Sequence, residues 1–113
     1  MKIEKKAENG LEIISISGTL DLQHVAEFKQ QVSSLLKNGQ ARIVFNLENL
    51  EFIDSAGLEA FLSTLVTAKK LGGFVALASV KKTVARVFEI TRMDKAFEIF
   101  PSADEAIEKL AGR

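Results

Sequence analysis

The sequence predicts an α/β fold: one domain spanning residues 1–113, with a mixed, mostly parallel sheet of four to five strands, an N-terminal hairpin and about four helices. Short apolar runs alternate with segments whose apolar residues recur at helical spacing, the pattern of strands joined by crossover helices. Asn9-Gly10 sits between two strand-like stretches, a strong signal for a two-residue hairpin. A chain of 113 residues buries roughly two-thirds of its unfolded surface, enough for one core and too little for two.

A strand around Ile3 leads into Glu8-Asn9-Gly10 and returns over Leu11 to Ser17, where Gly18 interrupts it. Asp21 precedes a first helix marked by Val25, Phe28, Val32, Leu35 and Leu36, which ends near Asn38-Gly39 with a C-cap glycine. Arg42 to Leu47 is nearly continuous apolar sequence, as expected of a strand covered on both faces. Leu50, Phe52 and Ile53 then carry an apolar segment up to Asp54.

A second helix should start at Ser55, with Leu58, Phe61, Leu62, Leu65 and Val66 at helical spacing, and close at Lys69-Lys70-Leu71-Gly72-Gly73. Phe74 to Ala78 is a further apolar strand, and Val84, Val87 and Phe88 mark a third helix. Phe97 to Phe100 is a short terminal strand. The last helix carries Ala106, Ile107 and Leu110, and its start is signalled by Pro101 and by Ser102 and Glu105, which fit a capping box. Right-handed crossovers make the sheet mostly parallel, with the hairpin adding an antiparallel edge.

Composition narrows the function classes. Fifteen basic and fifteen acidic residues give zero formal charge, so the positive field of a nucleic-acid binder is missing. Without cysteine there is neither a disulfide framework nor thiol catalysis, which suits a reducing cytosol. No signal peptide or membrane-length apolar run is visible, so a cytoplasmic protein without membrane insertion is expected. No cofactor is expected.

The feature with most functional content is Asp54-Ser55-Ala56-Gly57, which puts a hydroxyl where an apolar segment stops and a helix begins. The first N–H groups of that helix lack intrahelical partners and lie at the positive end of its dipole. An oxygen on Ser55 can cap them, and a phosphate there is accommodated too.

Gly18-Thr19-Leu20-Asp21, Asn46-Leu47, Phe52-Ile53-Asp54-Ser55-Ala56-Gly57-Leu58 and Leu71-Gly72-Gly73 together resemble the STAS domain family, whose name joins sulfate transporters and anti-sigma factor antagonists. The resemblance runs from about Ile3 to Leu110 with compatible spacing. It implies a STAS-like fold and a stand-alone bacterial anti-sigma factor antagonist. In that family the serine after the aspartate is phosphorylated by a partner that is both anti-sigma factor and serine kinase, a role that maps onto Ser55. The unphosphorylated antagonist binds this kinase and frees the sigma factor, phosphorylation blocks binding, and a serine phosphatase resets the switch.

The resemblance thus implies a partner-binding face of Gly18, Leu20, Asp21, Asp54, Ser55, Ala56, Gly57, Leu58 and Glu59, on a protein that is a monomer when free. Two positions depart from the family pattern. Ala56 stands where serine or threonine is common, which leaves Ser55 as the one hydroxyl of the motif. Glu59 stands where glycine is common, and one turn from a phosphate it opposes it by a few tenths of a kcal/mol if exposed, or tunes partner choice by its charge.

Plainer roles stand beside these. Asp21 is also a natural cap for the first helix, and Asp54 either ties down its turn or offers interface hydrogen bonds. His24, the one histidine, reads as a surface residue, since no serine–histidine–carboxylate arrangement recruits it. Lys69, Lys70, Lys81 and Lys82 read as helix-end cations or as one basic patch near the sheet ends. Gly72-Gly73 lacks the further glycines of a phosphate loop or dinucleotide fingerprint, and the eight phenylalanines read as packing. Hydrolase and metal chemistry find no base and no ligand set, so a non-enzymatic role is expected. A non-switching STAS docking subunit of a membrane transporter complex remains the alternative.

Overall fold

The computed structural model describes residues 1–113, with six strands and four α-helices. They run β1 (Lys2–Glu8), β2 (Leu11–Leu20), α1 (Val25–Lys37), β3 (Arg42–Asn46), β4 (Leu50–Ile53), α2 (Ser55–Lys70), β5 (Phe74–Ala78), α3 (Lys82–Ile90), β6 (Glu98–Phe100) and α4 (Ala103–Leu110). A single 3₁₀ turn, Met93–Lys95, separates α3 from β6. Asn9 and Gly10 both take positive φ, at 53° and 79°, as the tight hairpin between β1 and β2 requires.

The main sheet runs β1-β2-β3-β5-β6, antiparallel at the hairpin and parallel elsewhere. One strand more than expected is present, and Gly18 explains it. At φ 88° it bulges β2 instead of ending it, and its N–H donates to the Asn49 carbonyl at 2.9 Å. Below the bulge, Glu12 to Ser15 pair with β3; above it, Gly18 to Leu20 pair with β4. The chain after Ile53 therefore leaves from the same end of the sheet as the chain after Leu20.

Side-chain alternation explains the apolar runs. Ile14, Ile16, Ile43, Phe45, Val75 and Leu77 face a core shared with α1, α2 and α3. Leu11, Ile13, Val44, Ala76 and Ala78 face the opposite side, where Ala106, Ile107 and Leu110 of α4 cover them. Phe61 sits at the centre of the first core, with its ring centroid 5.3 Å from Phe28, 4.9 Å from Phe45 and 6.0 Å from Phe88. These tilted and edge-on contacts fix α2 against α1, α3 and the sheet. Five of the eight phenylalanines are buried, but Phe52 is exposed.

Arg42, read from sequence only as the start of a strand, ties the hairpin to the last helix. Its guanidinium donates to the Gly10 carbonyl at 3.2 Å and the Leu110 carbonyl at 3.1 Å, and lies over the Phe74 ring. Ser102 caps α4 by accepting from the Glu105 N–H at 3.1 Å, one half of the expected capping box. The possible basic patch does not form. Lys69 and Lys70 end α2 before β5 begins, whereas Lys81 and Lys82 follow the far end of β5, and Lys81 pairs with Glu51 at 2.7 Å.

Candidate functional site

The ends of β2 and β4 lie side by side, with Leu20 opposite Ile53, so the turns that follow them meet. One turn carries Asp21 and Leu22, the other Asp54 and Ser55. A single side chain joins them. Asp54 accepts from the Gly57 N–H through Oδ1 and from the Leu22 N–H through Oδ2, both at 3.0 Å. The first bond caps α2; the second holds the β2–α1 turn against the cap. Bonds to a carboxylate contribute more than neutral ones, about 1.5 to 3 kcal/mol each where shielded from water.

The helix cap is therefore Asp54, where Ser55 was a candidate from sequence. Extended at φ −111° and ψ −173°, Asp54 turns its side chain back over the first turn. Ser55 becomes the first helical residue. It is exposed, and its hydroxyl takes no part in the capping bonds. The N–H groups of Ser55 and Ala56 begin the helix and have no acceptor within it.

Gly57 explains how closely the two turns approach. A Cβ there would lie 2.6 Å from the Leu20 carbonyl oxygen and 2.7 Å from Ile53 Cγ1. Only glycine lets α2 start against the end of β2.

Asp21 does not cap α1 directly, because the helix begins after His24. Instead it closes the preceding turn: Oδ1 accepts from the Gln23 N–H at 3.1 Å, and its carbonyl accepts from the N–H groups of His24 and Val25. The His24 ring lies 2.6 Å away, Nδ1 to Asp21 Oδ1. Burial pushes the Asp21 carboxyl up, but the His24 hydrogen bond and charge, with backbone N–H bonds, outweigh it and leave its pKa below the ordinary 3.8.

Of the site residues expected from sequence, Ser55 and Glu59 are exposed, Gly18, Asp21, Asp54 and Ala56 are half-buried, and Leu20, Gly57 and Leu58 are buried. The buried three shape this surface from beneath. Four apolar residues expected in no site, or in the core, lie at the surface instead. Leu22 on the β2–α1 turn is 74% exposed and Phe52 on β4 53%, and Leu62 and Val66 are exposed along α2. Ser55, Glu59, Leu62 and Val66 are spaced by four, three and four residues, which puts them on one face of the helix. Part of the signal was present in the sequence: Leu58, Phe61, Leu62, Leu65 and Val66 are more than one buried stripe needs, so some must lie at the surface, though spacing alone does not say which.

An exposed serine at a helix start is a small feature, and comparison with known proteins gives it a context. The model of the STAS domain family matches residues 2–106. The chain belongs to the STAS domain family. An anti-sigma F factor antagonist from Paenibacillus polymyxa is 28% identical over 111 residues, covering 97% of this chain and 95% of that protein. The crystal structure of a candidate anti-sigma factor antagonist from Thermotoga maritima superposes with a TM-score of 0.91 at 28% identity, covering 96% of this chain and 93% of the other. The Bacillus cell fate determinant SpoIIAA in its phosphorylated form shares the fold, with a TM-score of 0.76 at 22% identity over 96% of this STAS chain and 98% of the other. No helix of this STAS domain is long and apolar enough to cross a membrane.

Proposed function

We propose that this STAS domain is an anti-sigma factor antagonist: unphosphorylated, it binds an anti-sigma factor that is also a serine kinase, and phosphorylation of Ser55 blocks that binding. A serine phosphatase acting on the phosphorylated form restores it. The observation that carries this reading is the Ser55 hydroxyl, exposed and not spent on capping, at the head of the Ser55–Glu59–Leu62–Val66 face, on a surface where Leu22 and Phe52 are also exposed. A kinase can reach this hydroxyl without unfolding the helix.

Phosphorylation adds about 1.5 to 2 negative charges and three acceptor oxygens. The positive end of α2 offsets part of the internal cost, roughly 0.3 to 1 kcal/mol, against the nearby carboxylates of Asp54 and Glu59. The fold relationship to a SpoIIAA that carries phosphate supports a domain that survives the modification. In a complex the balance differs. An apolar interface closing over Ser55 desolvates the phosphate without a prepared cation, at a cost of several kcal/mol. Since about 1.4 kcal/mol is tenfold in affinity, one phosphate releases the partner.

Incubation with an anti-sigma factor kinase from the same genome and ATP, followed by mass spectrometry of the peptide containing Asp54-Ser55, tests the modification. One phosphate on Ser55, absent from Ser55→Ala, is expected. A chain left unmodified by every such kinase would instead point to a non-switching docking module.

A further inference from the structure

The sheet has two unlike ends. At the hairpin end, β1 presents Lys2, Glu4, Lys5, Lys6 and Glu8, a charged edge of the kind that resists strand pairing. At the other end β6 has β5 as its one neighbour, carries Ile99 43% exposed, and has no lysine. Beside it, a groove of about 400 Å³ runs between β6 and α3, with Val80, Phe88, Ile99 and Phe100 among its lining. Glu89 on α3 and Asp94 in the 3₁₀ turn line it too. Neither carboxylate forms an ion pair, although Arg86, Arg92 and Lys95 are close in sequence; the neighbouring Glu98 is taken by Arg113 at 2.8 Å. The groove lining thus carries two carboxylates and no cation beside its apolar residues.

We propose that β6 and this groove are a second docking site, separate from the Ser55 face, which takes an extended basic-apolar segment of a partner protein as an added strand. Alternate apolar side chains would enter the groove while lysine or arginine side chains meet Glu89 and Asp94. The Ser79 N–H donates to the Phe100 carbonyl at 3.1 Å, which holds the end of β6 to β5 and keeps the edge in strand geometry. None of the residues lining this groove belongs to the Ser55 face.

The probe is a capped ten-residue peptide of alternating valine and lysine, titrated into the full chain and followed by amide NMR, with a valine–glutamate peptide as control. Shifts should centre on Ser79, Val80 and Glu98 to Phe100, and the glutamate peptide should bind at least about tenfold more weakly. Ile99→Lys and Asp94→Lys, each with a native-like spectrum, should weaken the lysine peptide to a similar degree, and Ser55→Asp should leave it unchanged. Equal shifts from both peptides, no shift at millimolar peptide, or shifts on the Ser55 face overturn the proposal. So does concentration-dependent self-association that Ile99→Lys abolishes, which would make the occupant a second copy.

Discussion

Asp54 is the residue whose removal says most about how the Ser55 face is built. Asp54→Ala deletes both the helix cap on Gly57 and the bond to Leu22. Loss of a capping side chain costs about 1 kcal/mol. The Leu22 N–H lies at an exposed turn and turns to water, so its lost bond adds only a fraction of that. The total, about 1 to 2 kcal/mol, lowers the melting temperature by roughly 5 to 10 °C. The local consequence is larger than the global one, because nothing else seen at the site joins the β2–α1 turn to the start of α2 by a side chain.

Asp54→Ser separates the two effects, since a serine hydroxyl caps Gly57 but is too short to reach Leu22 as well. Chemical denaturation gives the stability of each variant, and amide hydrogen exchange at Leu22 and Gly57 reports the two bonds. Asp54→Ala should speed exchange at both amides; Asp54→Ser should speed it at Leu22 and largely spare Gly57. Unchanged stability in Asp54→Ala together with unchanged exchange at Leu22 would refute the bridging role.

Gly57→Ala should destabilise by about 1 to 3 kcal/mol in denaturant titration despite the better helix propensity of alanine, because its Cβ meets the Leu20 carbonyl and Ile53. A neutral or stabilising result would contradict the close approach. Asp21 has a folded pKa lowered below 3.8, so its stabilising contribution is present above that value and lost as pH falls through the lowered one. Carboxyl-carbon NMR titration should show Asp21 moving back toward 3.8 in His24→Ala, and no movement would remove His24 from the account. Ser55→Asp should melt within a few degrees of the parent, since an added charge at the exposed helix start is offset by the dipole.

Much of the fold was readable because the local signals agree with the tertiary structure. Asn9-Gly10, Gly39, Pro101 and Ser102 mark boundaries by backbone chemistry alone, and the two-sided burial of β3 and β5 shows as unbroken apolar sequence. What escaped depends on contacts between distant segments. Leu50–Ile53 is four residues long, and only its pairing with the far half of β2, beyond the Gly18 bulge, makes it a strand. The choice between Asp54 and Ser55 as cap turns on which residue is extended, and that follows from where β4 ends. That Asp54 also reaches Leu22, 32 residues earlier, has no local signature at all. Leu62 and Val66 fit a helical pattern, but the pattern does not say which of two adjoining stripes the sheet covers.

In the proposed switch the charge state of Ser55 decides partner binding without deciding the fold. Calorimetric titration of the anti-sigma factor kinase with four forms of this chain tests it most directly: unmodified, enzymatically phosphorylated, Ser55→Ala and Ser55→Asp. Tight binding by the unmodified and alanine forms is expected, with affinity at least about a hundredfold weaker for the phosphorylated form and Ser55→Asp also weakened. Equal affinity of the phosphorylated and unmodified forms would contradict it.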